Sequence, residues 1–372
     1  MRRRAAWGVG LALAIGAGAG GVWALWGTDN PKYPGKRWSW KAPEKAGFSE
    51  EKLAAFSAKV GGDGCLVHGG EMIHAWGEID QRRNVASSIK PIYAFLTYKA
   101  IETGRLGSLD DRVVNWVPEL DDLNAAAEYK DREITFRHLL EQTSGYGLEE
   151  EPGESFAYND YATGLLVWAL FYRVYDRLPK EYDEILNGEL LGAALGFEDE
   201  PTAISFRVPR GRIRISVRDM ARFALLYLRG GTWRGQRFLR EDLFREALRE
   251  PLPDHFPRTS GEEAEHLDQV ASIGGGKDEK HHAGSLGHFW WHNDRTPDGS
   301  WLLPDASPGT FLGVGYGGRS AMVAIPELDL VAVWHDAHLR SGEEWSPFSD
   351  VGRFKVNEML RDLWAARTAA AR

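Results

Sequence analysis

A chain of 372 residues, 43% hydrophobic and 12% aromatic, can bury a large core; at about 150 residues per domain it makes two lobes or one large domain. Its formal net charge of -9, with no Lys/Arg stripe interleaved with aromatics, excludes a nucleic-acid partner. One cysteine, Cys65, rules out an internal disulfide and a multi-cysteine zinc site.

Taken in chain order, Arg2, Arg3 and Arg4 precede an uncharged run from Trp7 to Trp26. At about 1.5 Å per residue that run is just long enough to cross a bilayer, and the basic flank predicts that the rest of the chain is exported. Residues 1–27 are therefore read as an N-terminal transmembrane helix that anchors an extracytoplasmic domain to the membrane. The alternative is a signal peptide cleaved near Ala17-Gly18-Ala19, giving a secreted protein. Residues 28–40 carry no hydrophobic period and read as a linker, with the folded domain spanning 41–368.

Cys65 to His68 and Met72 to Trp76 flank Gly69-Gly70 and predict a hairpin, with Cys65 a buried strand thiol. Ala321 to Ile325 and Leu330 to Trp334 flank Pro326 to Asp329 and predict a second hairpin in the same antiparallel sheet. Val356, Met359, Leu360, Leu363 and Trp364 fall on one face of a closing helix. Residues from about 91 to 228 are dominated by helical periods: Ile92 to Ile101, Phe136 to Leu140, Tyr161 to Tyr175, Met220 to Tyr227. The fold class predicted is α/β (α+β): an antiparallel sheet flanked by helices, built from both chain ends, with a mostly helical lobe inserted. Pro251 to Gly287 turns polar and Gly-rich and reads as a mobile loop.

Ser87-Ser88-Ile89-Lys90 opens one of those helical segments. Residues three apart on a helix share a face, so the Lys90 amine can reach the Ser87 hydroxyl while Ser88 points elsewhere. A serine hydroxyl needs a base to become a nucleophile, and a helix start aims backbone N–H groups at a carbonyl under attack. Alone the spacing is a weak signal, since a chain of this length gives about one by chance.

Further segments in order carry more weight. They are Ile134 to Gly145, ending Gln142-Thr143-Ser144-Gly145; Pro152 to Tyr161, containing Tyr158-Asn159-Asp160; Gly211 to Phe223; Leu228 to Gly235; and Gly313 to Arg319 before a strand. From about Gly47 to Leu363 the sequence resembles the serine β-lactamase-like superfamily in its class C, D,D-peptidase and esterase branch. The resemblance implies that Ser87 is the nucleophile, that Lys90 and Tyr158 form the proton-transfer pair, and that the backbone N–H groups of Ser87 and Arg319 form the oxyanion hole. Gly317-Gly318 would let the strand edge approach the substrate closely. The chain departs from the family at two positions. Asp160 stands where the family has Asn, favouring a charged Lys90 and passing the general-base role to Tyr158, and Tyr316 stands where many β-lactamases carry Lys or His.

Phe289, Trp290, Trp291 and Trp301 are candidates for an aromatic wall of the cleft or for core. His281, His282, His288 and His292 lack metal-ligand spacing and read as solvated surface histidines, so no metal and no cofactor is implied. The chain reads as a serine hydrolase acting through an acyl-enzyme on ester or amide bonds of small molecules or D-amino-acid peptides. The alternatives are a β-lactamase or D,D-peptidase, and, of another class, a catalytically silent membrane-tethered protein that binds cell-wall peptides.

Overall fold

The computed structural model describes residues 32–205, 209–248, 252–253, 255–270, 286–295, 299–338 and 350–368. The expected anchor at 7–26 and the Gly274-Gly276 part of the expected loop lie outside these residues. No helix among the described residues is long and apolar enough to cross a membrane.

The strands are β1 (Asp63–His68), β2 (Glu71–Trp76), β3 (Arg83–Asn84), β4 (Thr202–Ser205), β5 (Pro209–Ile215), β6 (Thr232–Trp233), β7 (Gln236–Arg237), β8 (Leu286–Gly287), β9 (Trp290–His292), β10 (Phe311–Gly315), β11 (Ser320–Ile325) and β12 (Leu330–His335). The α-helices are α1 (Glu50–Val60), α2 (Lys90–Glu102), α3 (Phe136–Glu141), α4 (Asp160–Val167), α5 (Tyr182–Asn187), α6 (Gly192–Leu195), α7 (Val217–Leu228), α8 (Glu241–Ala247) and α9 (Asp350–Ala365).

Seven strands form one antiparallel sheet in the order β2-β1-β12-β11-β10-β9-β8, so both predicted hairpins share it and the two chain ends meet at β1 and β12. Both faces of this sheet are apolar. Along β12, Val331 and Val333 enter one core while Leu330, Ala332 and Trp334 enter the other. A strand covered on both sides must read as a near-continuous apolar run, which is how the two strands of the second hairpin read. One face is covered by α1, through Leu53, Phe56 and Val60, and by α9, through Val356, Met359, Leu360 and Leu363. The other face packs on α7 and the inserted lobe.

The hairpin turn at Gly69-Gly70 has φ of 61° and 83°, the left-handed pair that a two-residue turn demands and glycine supplies at least cost. Cys65 is buried in β1, with Sγ 3.7 Å from the Val217 carbonyl.

The inserted lobe is less uniformly helical than expected. It holds α2 to α7 and the strands β4 and β5, which pair with β3 from just before the lobe in a small sheet of order β3-β5-β4. The predicted helix Tyr161 to Tyr175 is α4 continued by a π-helical segment, Trp168–Val174. Residues 33–38, expected to be linker, are tied to the body. Arg222 donates to the Gly35 carbonyl at 3.1 Å, and Trp38 Nε1 donates to the Arg218 carbonyl at 3.2 Å. Part of the expected loop is likewise held: Phe156 N donates to the Pro257 carbonyl at 2.8 Å and Thr259 N to the Phe156 carbonyl at 3.0 Å.

Burial pushes the Cys65 thiol up to about 12, so almost no thiolate exists at neutral pH. Native protein is expected to leave iodoacetamide unreacted over hours, with one equivalent consumed after guanidinium unfolding. Rapid labelling of the native chain would show that β1 opens.

Candidate active site

Ser87 lies in a one-turn 3-10 segment, Ala86–Ile89, that runs directly into α2. α2 is the central helix of the molecule, buried from Lys90 to Tyr98, so the start of the helix is fixed by packing along its length. The residue before Ser87, Ala86, has φ of 50°, a left-handed conformation costing a non-glycine residue about 1 kcal/mol. Asn84 holds that turn: its Oδ1 accepts from Ala86 N at 3.0 Å and its Nδ2 donates to the Tyr316 hydroxyl at 3.2 Å. Ser87 is half-buried, whereas Ser88 is fully buried and bonds the Val85 carbonyl at 2.7 Å and Ser320 Oγ at 2.9 Å.

Lys90 is buried, and Asp160 Oδ1 accepts from its ammonium at 2.9 Å. The same ammonium sits 3.9 Å from the ring centre of Tyr158. The second oxygen of Asp160 accepts from Arg212 Nη2 at 2.8 Å, and Arg212 Nη1 lies 3.4 Å from Ser87 Oγ. Four polar groups from three parts of the chain thus form one connected set with the ring of Tyr158 against it.

Tyr158 is pinned from both sides. Ala157 N donates to the Gln142 carbonyl at 2.9 Å and Asn159 N to Gln142 Oε1 at 2.8 Å. Gln142 itself caps α3 in the left-handed conformation, φ 59°. Asn159 is the N-cap of α4, its Oδ1 accepting from Tyr161 N at 2.7 Å, which sets Asp160 in the first turn with its carboxylate toward Lys90. The Q-T-S-G and Y-N-D segments therefore act together.

Burial by itself would push Lys90 down, but the Asp160 carboxylate and the Tyr158 side chain outweigh it and the ammonium is held above its ordinary range. Burial would raise Asp160, yet Lys90 and Arg212 hold it below the usual carboxylate range. At neutral pH the site holds a lysine cation against a carboxylate.

The strand edge approaches Ser87 at Gly315. A Cβ built there would stand 2.4 Å from the Val85 carbonyl oxygen and 2.9 Å from Ser87 N. At Gly313 it would stand 2.8 Å from the Ser88 carbonyl oxygen. β9 pairs with β10 only at Phe311 and Leu312, so the rest of that edge faces the turn that carries Ser87.

A family model described as Beta-lactamase matches residues 50–335. The chain belongs to this family. Its members are serine hydrolases, and the antiparallel sheet with flanking helices is the beta-lactamase fold. No curated protein matches the chain. Among solved structures it is similar to a protein assigned as a 6-aminohexanoate-dimer hydrolase from Bacillus anthracis, with TM-score 0.58 and 14% identity over 91% of this chain and 88% of that one. It is also similar to a D-alanine carboxypeptidase AmpC from Burkholderia cenocepacia, with TM-score 0.55 and 14% identity over 85% and 97%. A third is EstCE1, a hydrolase with promiscuous acyltransferase activity, with TM-score 0.53 and 15% identity over 86% and 97%.

Within this beta-lactamase fold, Gly317, Gly318 and Arg319 stand elsewhere than the sequence suggested. β10 ends at Gly315, and Tyr316–Gly318 is a 3-10 turn with Gly317 at φ 64° and Gly318 at φ 105°. These two glycines serve the turn, and Gly315 makes the close approach. The Arg319 amide donates to the Tyr316 carbonyl at 3.3 Å, and its half-exposed guanidinium lies 3.6 Å from Asp336. Tyr316 is 52% exposed beside the turn before Ser87.

Phe289 and Trp291 line the site, Phe289 with its ring centre 5.9 Å from the Lys90 ammonium and Trp291 with its ring centre 5.8 Å from that of Tyr158. Trp290, on the opposite face of β9, is core against Tyr227 and Phe311. Trp301 stacks on Arg295. The surface reading of the histidines fails at the two that are described. His288 is buried with Nδ1 2.6 Å from the Tyr98 hydroxyl, and His292 Nε2 is buried without a hydrogen-bond partner. His281 and His282 lie outside the described residues, among which no cluster fits a metal. Arg212 was not singled out from the sequence; its signal was the alternation Arg212-Ile213-Arg214-Ile215, a strand with one charged face.

Gly315→Ala is expected to lower fluorophosphonate labelling of Ser87 by two orders of magnitude or more and to destabilise by roughly 1–3 kcal/mol, because backbone on both sides must move. Labelling at the native rate would remove Gly315 from the site. Burial holds the His292 imidazole down at about 4, with His288 adding to the effect. A folded value below the unfolded one of about 6.5 contributes stability that is present above pH 6.5 and lost as pH falls toward 4, up to roughly 3 kcal/mol. His292→Gln should therefore flatten the fall in thermal midpoint between pH 6.5 and 4; an unchanged slope would assign that fall to other groups.

Proposed function

We propose that the chain is a serine hydrolase that transfers acyl groups from ester or amide bonds of small molecules or D-amino-acid peptides to water. One observation carries the reading: an accessible serine hydroxyl, at the start of a helix buried for most of its length, contacts a network that joins Arg212, Asp160 and Lys90 and ends on Tyr158. A solvated surface serine would not require that many buried charges beside it.

In this reaction Ser87 Oγ attacks the carbonyl carbon while its proton passes to the phenolate form of Tyr158, which becomes the neutral phenol. Lys90, held as a cation by Asp160, stabilises the charge on that phenol oxygen instead of taking the proton itself. The oxyanion is received by the Ser87 N–H, beside which Gly315 presents no side chain. The proton then goes to the leaving group as the tetrahedral carbon collapses to an acyl-Ser87 ester. Water attacks that ester, Tyr158 takes the water's proton, and Ser87 regains one as the acid leaves. Residues 7–26 would hold the domain outside the cytoplasm, with the secreted form as the variant of the same idea.

Phe289 and Trp291 make the wall beside Lys90 apolar, and Tyr316 leaves the strand end without the cation that would recognise a β-lactam carboxylate. These features favour neutral esters and amides over penicillins. Incubation with a fluorophosphonate and with a fluorescent penicillin, followed by peptide mapping, tests this reading: the first should label Ser87 and the second should not. Lys90→Ala and Tyr158→Phe should each slow labelling by roughly 10²- to 10⁴-fold. Absence of any adduct on Ser87 would instead favour the silent peptide-binding protein, whose best support is the locked Lys90–Asp160 pair.

A further inference from the structure

Arg212 comes from β5, an element apart from those that carry Ser87, Lys90 and Tyr158, and touches the nucleophile oxygen itself. We propose that Arg212 is a further catalytic residue, directing the Ser87 hydroxyl proton toward Tyr158 and forming with Asp160 a charge-compensated unit in place of one neutral side chain. This rests on the acyl-transfer reading above.

A guanidinium has donors and no acceptor. At 3.4 Å from Nη1, Ser87 Oγ can only accept, so its own hydrogen is left to donate elsewhere, toward the base. The other arm, Nη2, holds Asp160 Oδ2 at 2.8 Å while Oδ1 holds Lys90 at 2.9 Å. The carboxylate cannot rotate without loosening both cations. Beside Arg212 lies a narrow gap of about 10 Å³, lined by Tyr93, Phe171, Tyr182 and Ile213, which among the described residues offers the guanidinium no anion to turn to. Among the described residues the ionisable groups facing it include Asp160 from α4, Lys90 from α2 beyond that carboxylate, and the phenols of Tyr93 and Tyr182, which burial keeps neutral.

Charge arithmetic makes the proposal testable. Lys90, Asp160 and Arg212 sum to +1, Arg212→Met makes the sum 0, Asp160→Asn makes it +2, and the double variant restores +1. Each added positive charge favours the deprotonated base that starts the reaction.

The experiment uses the full chain, detergent-solubilised, with p-nitrophenyl acetate turnover followed from pH 5 to 10. The alkaline-rising limb of kcat/KM should move to higher pH in Arg212→Met, to lower pH in Asp160→Asn, and lie at the wild-type position in the double variant. Arg212→Met should also lose roughly 10- to 100-fold in kcat/KM at pH 7. Arg212→Lys keeps the charge and loses the fork, so its limb should stay in place while its rate falls. A purely structural arginine would change the thermal midpoint and the amplitude while leaving all limbs where they were, and that result overturns the proposal. If Arg212→Met fails to fold, Arg212→Lys and the double variant decide between the same outcomes. Failure of fluorophosphonate to label wild-type Ser87 would refute the acyl-transfer reading itself, independently of the pH limbs.

Discussion

The site depends on the ion pair between Lys90 and Asp160, 2.9 Å apart, with the lysine side chain 2% exposed. A charge at the start of a helix that is buried for most of its length must be compensated, and its partner comes from α4, whose first turn is set by the Asn159 cap. Removing two such charges from water costs several kcal/mol each, and an apolar pair of the same volume is often as stable or more so. Stability is therefore a poor reason for the pair. What it does is join the helix that follows Ser87 to the segment that carries Tyr158, so that α2 and the loop before α4 cannot shift independently.

Around that pair the fold leaves little freedom. Because both faces of the sheet are covered, α2 can approach β10 only where the strand carries no side chain, and the two positions that face the Ser87 turn are Gly313 and Gly315. Val314 between them enters the core on the α1 and α9 side. The alternation glycine-valine-glycine is thus a strand that needs bulk on one face and none on the other.

The parts of this arrangement that were legible in sequence are those with a local pattern. The two hairpins showed as apolar runs around turn residues, the closing helix as a 3.6-residue apolar face, and Ser87 and Lys90 as a three-residue spacing at a helix start. Asp160 and Tyr316 were legible as departures from a pattern. Which glycine of the Gly313 to Gly318 run meets the Ser87 turn was not, since the run contains four glycines and the choice depends on where β10 stops pairing. His288 and His292 were misread for a related reason: they come after a polar segment, but a two-residue turn reverses the chain there and returns both to the interior. Arg212 was hidden because a charged residue on an alternating strand reads as solvent-facing until the helix opposite it is known.

That reversing turn also bears on the chemistry. His288 and Phe289 have φ of 44° and 70°, the conformation in which two-residue hairpins prefer Asn and Gly, and adopting it costs side chains of this size about 1 kcal/mol or more each. The bond between His288 and the Tyr98 hydroxyl holds the turn to the buried side of α2, and in that position Phe289 covers Lys90 while Trp291, two residues on, covers Tyr158. Water kept from the ammonium and carboxylate leaves their attraction less screened than it would be in solvent, where a pair at this distance contributes about 1 kcal/mol. The strain of the turn and the strength of the ion pair are therefore linked: the backbone distortion at 288 and 289 maintains the apolar cover under which Asp160 can keep Lys90 charged.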